Sequence, residues 1–386
     1  MRPLKVLYLI DSLGPGGAQR QLTTLVRSLD GGLVSPEVAI YHPLYHFREE
    51  LTNGGTPLHM LGPAGGRDPR VLMRLGRLMA SGGFDIVHSY LRTPGVLARV
   101  ASLLTPDVRI VVSERSIGLA RHPWRLALER LLAGRADAVI VNSHAMAYEM
   151  LRLVPRLKAR MFVVPNGVLW TEPSPQDVEK AAALRAEMAE GSELLLLALS
   201  RISREKGPDV LLEALGRLPD STLSRLVVVW IGPRVDRELA AAVESRVAAG
   251  PLRGRVRFLG ATDDPAILYM AADALVLPSR REGLPNVVLE ALAHGRPVIA
   301  SDVGDTGRLV DGSGAGWLVR PDDPDGLARA VEDFVSTGPE RRREMGTQGS
   351  AFILENYSAG KLVERTMAVY DSVLDRRTGT RSHGAM

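Results

Sequence analysis

Residues Lys5 to Leu29 read KVLYLIDSLGPGGAQRQLTTLVRSL. Lys5–Ile10 is a strand-length apolar run, of the kind a sheet buried on both faces requires. Gly14-Pro15-Gly16-Gly17 is a turn. Leu22, Leu25, Val26 and Leu29 then recur at helical spacing. Strand, glycine-rich turn and helix in succession make the opening of a βαβ unit. The pattern repeats outward from here. Strands are expected at Val38–Tyr41, Phe84–His88, Arg109–Ser113, Ala136–Asn142 and Met161–Val164, with helices at Pro69–Met79, Pro94–Leu104, Trp124–Ala133 and Ser143–Leu153. Such alternation indicates a parallel sheet covered by helices.

The composition changes at residues 169–192, where Pro173, Pro175, a Glu/Lys/Ala-rich helical piece and Gly191 read as a linker. The alternation restarts with strands Leu194–Ser200, Leu226–Ile231, Arg255–Leu259, Ala274–Leu277, Pro297–Ala300 and Gly316–Val319. Helices Pro208–Leu218, Arg234–Ala249, Pro265–Ala271, Asn286–His294 and Pro324–Thr337 fall between or after them. Helical stretches Pro339–Glu355 and Ala359–Arg376 and a polar tail from Arg377 close the chain. The expected architecture is α/β: two doubly wound, Rossmann-like domains at 1–168 and 193–357, with 358–386 as a terminal helix and tail. In such sheets ligands bind beyond the carboxyl ends of the strands, so the chemistry belongs in loops that follow strands, facing a cleft between the domains.

The 386 residues fit two domains. An apolar fraction of 45% with 24% charged residues rules out wholesale disorder. The chain has no cysteine. That excludes a disulfide framework, a thiolate nucleophile and a cysteine-held metal or cluster. No apolar run approaches the roughly 20 residues of a spanning helix, and Val6–Ile10 is too short for the core of a signal peptide. A cytoplasmic protein is expected, with any membrane contact peripheral. Charge is uneven: residues 1–165 hold 21 Lys and Arg against 12 Asp and Glu, while the remainder is net acidic. The first half should favour an anionic partner.

The most informative stretch is Ser279-Arg280-Arg281-Glu282-Gly283-Leu284-Pro285-Asn286-Val287-Val288-Leu289-Glu290, which follows a strand and opens a helix. Gly283 permits close backbone approach. Pro285 suits the first helical turn, and Asn286 or Ser279 is a candidate cap. The result is a helix N-terminus suited to phosphate or sugar oxygens, with Glu282 and Glu290 spaced to hold two ends of a polar ligand. The plain alternative makes Glu282 a first-turn acid and Glu290 a solvated residue, but the apolar neighbours of Glu290 argue against solvation. Directly after another strand comes Ser200-Arg201-Ile202-Ser203-Arg204-Glu205-Lys206-Gly207, where Arg201 and Lys206 can neutralise a diphosphate. Gly14 to Gln19 could cradle an oxygen or be a tight turn only; its spacing is not a dinucleotide fingerprint. His88 and Ser113-Glu114-Arg115 close strands at their carboxyl ends and so face the expected cleft. His88 is either a donor to a substrate hydroxyl or a satisfied core-edge histidine, and Glu114 and Arg115 could simply pair with each other.

Asp323-Pro324-Asp325 resembles a metal pair, yet it opens a helix, and capping explains it. The eight histidines lack metal-ligand spacing. Two basic amphipathic stretches remain: Arg67, Arg70, Arg74 and Arg77 with Val71, Leu72, Leu75 and Leu78, and Arg115–Arg135 with Trp124 and several leucines. Each fits either an Arg-lined outer helix face or contact with anionic lipid. Nucleic acid is not expected, since no binding module or aromatic interleaving accompanies the charge.

Across nearly its whole length the chain resembles the retaining GT-B glycosyltransferases of family 4. The residues that carry the resemblance are Gly16-Gly17-Ala18-Gln19, Val164-Pro165-Asn166-Gly167-Val168, Arg201 with Lys206-Gly207, and Glu282 through Glu290. Phe258-Leu259-Gly260 and Pro297-Val298-Ile299-Ala300-Ser301 also fit. The resemblance implies transfer of a sugar from a nucleoside-diphosphate sugar, UDP- or GDP-linked, to a carbohydrate or lipid-linked acceptor, in cell-surface polysaccharide or glycolipid synthesis. It implies neither a cofactor nor a metal. Arg201 and Lys206 would hold the diphosphate, Glu282 the sugar hydroxyls and Glu290 the ribose. The backbone of Gly283, Leu284, Pro285 and Asn286 would cradle phosphate and sugar. Ala261 and Thr262 would face the base, and Gly16 and Gly17 would line the opposite wall. Many relatives carry Glu where this chain has Gln19, and several carry His near Ser113-Glu114-Arg115, a part that His88 would take over. The alternatives are a nucleotide-sugar epimerase, an inverting transferase, or a donor-binding partner that has lost transfer.

Overall fold

The computed structural model describes residues 2–62, 68, 70–115, 123–189, 191–262 and 264–378. Arg67, Pro69, residues 116–122 of the second basic stretch and the tail from 379 lie outside the described residues. The chain divides into two compact units, residues 1–169 with 359–386 and residues 170–358.

In the first unit the strands are β1 (Leu4–Leu9), β2 (Val34–Ile40), β3 (Leu58–Met60), β4 (Ile86–Tyr90), β5 (Arg109–Glu114), β6 (Ala138–Val141) and β7 (Met161–Val163). The helices between them are α1 (Gly17–Ser28), α2 (Arg48–Thr52), α3 (Arg70–Ser81), α4 (Arg92–Ala101), α5 (Pro123–Leu132) and α6 (His144–Leu153). The strands form one parallel sheet in the order β3-β2-β1-β4-β5-β6-β7. Because side chains alternate along a strand, β1 feeds two cores. Leu7 and Leu9 join Val71, Leu75 and Met79 of α3 on one face, while Val6 and Tyr8 join Leu22 and Leu25 of α1 on the other.

The second unit holds β8 (Leu194–Leu199), β9 (Leu226–Ile231), β10 (Val256–Leu259), β11 (Ala274–Leu277), β12 (Val298–Ser301) and β13 (Gly316–Val319). Its helices are α7 (Pro175–Ala189), α8 (Pro208–Leu215), α9 (Asp220–Leu223), α10 (Arg237–Ala249), α11 (Pro265–Ala271), α12 (Asn286–Ala293), α13 (Thr306–Ser313), α14 (Pro324–Ser336) and α15 (Pro339–Tyr357). The sheet is parallel in the order β10-β9-β8-β11-β12-β13. A last helix, α16 (Ala359–Thr378), belongs to the first unit, where Leu362, Val369, Tyr370 and Val373 complete the Val6/Tyr8 core.

The stretch 169–192, read above as a linker, is mostly α7. Arg185 ties that helix to the second sheet by donating to the carbonyl of Ala271 at 2.9 Å and to Asp273 at 2.7 Å. Asp323 accepts from the amide of Gly326 at 2.7 Å and so caps α14.

Candidate active site

The strand order of the second sheet reverses between β8 and β11, which pair directly. The loops that follow them therefore emerge side by side, at the switch point where doubly wound sheets take their ligands. Backbone and side chain lock these loops together. The amide of Arg280 donates to the carbonyl of Glu205 at 2.8 Å. Its guanidinium donates to both carboxylate oxygens of Asp209 at 2.8 Å, to the carbonyl of Arg204 at 2.7 Å, and to Asp322. Gly207 takes φ +66°, and a Cβ there would overlap the carbonyl of Pro278. Only glycine allows the two loops to approach this closely.

Within this frame Lys206 Nζ donates to Glu282 Oε1 at 2.6 Å, and Ser279 Oγ donates to the same oxygen at 2.7 Å. The Lys206 and Glu282 side chains are 18% and 10% exposed, so the pair is held rather than solvated. An ammonium has three protons, and Glu282 is its one hydrogen-bond partner among the described residues. Arg201, 53% exposed, lies 3.5 Å from Glu205. The loop after β12 closes the third side: the amide of Asp305 donates to the carbonyl of Gly283 at 2.8 Å. Gly304, at φ +63°, lies where a Cβ would overlap the carbonyls of Glu282 and Gly283.

Helix α12 starts at Asn286 with Pro285 at its N-cap, and no side chain caps it. Neither Asn286 nor Ser279 serves as the cap proposed from sequence, since the Ser279 hydroxyl is spent on Glu282. Pro285 cannot cap through its side chain, and the amide end keeps its partial positive charge. Glu290 is half-buried and accepts from the Tyr269 hydroxyl at 2.8 Å. The Tyr269 ring stacks on His294 with centroids 5.4 Å apart. Leu284 and Pro285 are buried, Gly283 and Asn286 half-buried. Ala261 and Thr262 are exposed in the loop after edge strand β10. The structure thus joins Lys206, Glu282, Gly283 and the start of α12 through hydrogen bonds, while Arg201, Ala261 and Thr262 stand exposed on loops of the same sheet edge.

In the first unit, Gly16 is the uncapped N-cap of α1, and Gly17 is its first residue. Gln19 donates to Asp11 Oδ1 at 3.0 Å, bracing this turn against the end of β1. His88 is 1% exposed, and both ring nitrogens are engaged, Nδ1 with the Tyr370 hydroxyl at 2.7 Å and Nε2 with Ser113 Oγ at 2.8 Å. The catalytic or acceptor-side part assigned to His88 from sequence is therefore corrected: it is a satisfied core histidine. Burial, with a smaller contribution from Arg115, holds its pKa well below the usual histidine value. Tyr370 in turn donates to Tyr8 at 3.1 Å. The chain Ser113–His88–Tyr370–Tyr8 is self-consistent for a neutral ring that accepts at Nε2 and donates at Nδ1. Glu114 and Arg115 are linked by the Arg115 N–H, which donates to Glu114 Oε1 at 3.1 Å. Glu114 is buried against Arg92 at 3.3 Å, and Arg115 meets Asn166 and lies 5.1 Å over the Tyr90 ring. Burial lowers the Arg115 pKa, against the pull of Tyr90.

Four residues at these sites carried too little sequence signal to be singled out. Arg280 and Asp209 form the buttress between loops, Tyr269 orients Glu290, and Gln21 clamps the backbone of Gly167. The last uses both ends of its amide, Nε2 to the carbonyl at 2.9 Å and Oε1 from the N–H at 2.8 Å. A buried glutamine interrupting an apolar helical face was the readable clue for Gln21. No trio of His, Cys, Asp or Glu suited to a metal occurs among the described residues.

Comparison with known proteins adds to this geometry. Residues 15–168 match the family model for Glycosyltransferase Family 4, and residues 193–337 match that for Glycosyl transferases group 1. The alpha-maltose-1-phosphate synthase of Mycolicibacterium smegmatis is 32% identical over 308 residues, 75% of this chain and 79% of that protein. D-inositol 3-phosphate glycosyltransferase 1 of Catenulispora acidiphila is 29% identical over 362 residues, 86% and 84% of the two chains. The crystal structure of Anabaena HepE in complex with UDP-glucose superposes with a TM-score of 0.83 at 21% identity, over 96% of this chain and 100% of that one. Sucrose-phosphate synthase from Thermosynechococcus elongatus gives 0.76, also at 21% identity, over 96% and 100%. Two parallel sheets with these orders, matched over their full length, define the GT-B class of α/β proteins. Within it the chain belongs to the family 4, group 1 glycosyltransferases, and it is a transferase enzyme.

Proposed function

We propose that this enzyme moves a sugar from a nucleoside-diphosphate sugar to an acceptor hydroxyl with retention of anomeric configuration. The observation that carries the reading is the Lys206–Glu282 pair at the uncapped start of α12. Breaking the glycosyl–oxygen bond develops one further negative charge on the diphosphate, and preorganised positive groups in a shielded site stabilise it best. Lys206 keeps protons for a diphosphate oxygen, Arg201 supplies a second cation, and the α12 amides supply a third positive element. Glu282, fixed by Ser279 and Lys206, is placed to accept from sugar hydroxyls. Glu290, fixed by Tyr269, accepts from the ribose, and the 261–262 loop faces the base. The glycosyl–oxygen bond of the donor breaks as the acceptor oxygen bonds to the anomeric carbon from the same face, and the acceptor proton passes to the leaving phosphate. No protein base is needed in this scheme, which agrees with the burial of His88.

The relatives named for inositol 3-phosphate and maltose 1-phosphate, with the basic first unit, favour a phosphate-bearing acceptor. The proposal is tested by incubating the protein with UDP- and GDP-linked α-sugars and an acceptor panel, then reading the product's anomeric proton coupling. An α-linked product is expected, and a β-linked one would sink retention.

A peripheral membrane role rests on a separate observation. On α5 Trp124 is 64% and Leu131 77% exposed, beside Arg125, which lies over the Trp124 ring, and Tyr148 on α6 is 75% exposed. Aromatic and aliphatic groups among arginines suit an anionic bilayer surface. Co-sedimentation with vesicles should rise with anionic lipid and fall with salt; indifference to both removes this reading. No described helix is long and apolar enough to cross a membrane.

A further inference from the structure

The second unit holds a cavity of about 820 Å³ at the amino-terminal edge of its sheet, opposite the strand ends that carry Lys206 and Glu282. Asp273 and Pro297, the residues immediately before β11 and β12, form its floor. Arg342 and Arg343 of α15 form one wall and Trp170 another. The volume lies within the range of small-molecule sites, roughly 300–1,000 Å³.

Its charge is unbalanced. Arg296 lines the cavity with a buried Nε that has no hydrogen-bond partner. The nearby acid, Asp273, already accepts from Arg185 and from the amide of Leu195, each at 2.7 Å. Arg296 is thus attracted by a carboxylate committed elsewhere and repelled by Arg185, and burial holds its guanidinium below the ordinary arginine pKa. Arg343 is exposed and makes no side-chain ion pair among the described residues. Arg342 is anchored through the carbonyls of Phe334 and Thr337 and lies over the Phe334 ring, and its charge acts on the carboxylate of Glu193. A guanidinium that is half-buried, with its Nε shut off from water and unpartnered, is completed by an anion. The remaining lining, including Met270 and Leu354, is largely apolar.

We propose that this cavity is a second binding site, separate from the transfer site, for a soluble phosphate ester whose phosphate lies between Arg296 and Arg343 and whose body rests on the apolar wall with Trp170. It is independent of the identity of the sugar donor. The test is calorimetric titration of the full chain with glucose 1-phosphate, adenosine monophosphate and inorganic phosphate, and with phosphatidic acid vesicles. Wild type, Arg343→Ala, Arg296→Met and Lys206→Ala are compared. At least one ester should bind, weakened about tenfold or more by Arg343→Ala and Arg296→Met, as for loss of a charge-assisted contact. Lys206→Ala should leave that binding unchanged. Arg343 is exposed, so its variant reads the site even if Arg296→Met does not fold. The proposal fails if no ester binds up to about 10 mM, the weak end of specific recognition. Loss of binding only in Lys206→Ala, or binding of the vesicles alone, overturns it equally.

Discussion

Lys206, in the turn after β8, and His88, in the middle of β4, show how differently two polar residues are used. Lys206 is bonded once among the described residues, to Glu282, and an ammonium has two further protons to give. Lys206→Ala should lower kcat about 100-fold or more, the scale for removing one group that stabilises developing charge, and should also lower Tm, because it leaves the largely buried Glu282 without its cation. Equal kcat for the two proteins in a transfer assay would refute the assignment. His88 instead titrates against the fold. Its folded pKa is depressed, so below the unfolded value, near 6.5, the unfolded chain binds a proton that the folded chain refuses. Stability is therefore complete above that value and declines as pH falls toward the folded pKa, by up to about 1.4 kcal/mol per pH unit for one group. Urea melts between pH 7 and 5 should show this decline, and His88→Asn, though less stable at pH 7, should show a shallower one. A decline of the same steepness in the variant would assign it to other groups.

At the level of elements, the proposed transfer site is a property of loops held by one arginine. Arg280 connects the turn after β8, the first turn of α8 through Asp209, and the loop before α12. Arg280→Met keeps the length of the side chain but frees all three. Because Arg280 positions Lys206 and Glu282 without touching substrate in this scheme, the variant should raise KM and lower kcat together. Arg280→Lys, which cannot bridge Asp209 with a fork, should rescue only part. A change confined to Tm would reduce Arg280 to a structural role. The sequence announced this arrangement unevenly. The apolar runs of β8 and β11 and the residues Lys206, Glu282 and Glu290 were legible, because period and spacing are local. The Arg280–Asp209 bond was not, since the partners are 71 positions apart and nothing local links them. The short strand β3 and helix α13 also escaped, being set by packing on neighbours rather than by a strong pattern of their own. His88 misled for a related reason. The sequence ended its strand at His88, whereas β4 runs on to Tyr90, and the residue that buries the ring, Tyr370, lies 282 positions later.

At the scale of the chain, the first unit is discontinuous, and its core depends on α16. Leu362, Val369, Tyr370 and Val373 are each at most 2% exposed, and burying such side chains contributes about 1.5–3 kcal/mol apiece. A chain stopped after Ser358 exposes the facing side of β1 and leaves His88 without Tyr370. Expression of residues 1–358 should yield an unstable or aggregated product, detected as a lower Tm or by loss from the soluble fraction. Supplying residues 359–378 as a peptide in trans should recover part of the stability. A truncated chain that melts like the full protein would show that α16 adds little.

The same discontinuity sets an order of assembly during translation. The ribosome releases every strand of the second sheet before it delivers Tyr370. That sheet can close while the first still lacks its final cover. A nascent chain therefore carries an unfinished apolar surface through most of its synthesis, and premature termination anywhere before α16 yields a molecule whose defect lies at its beginning.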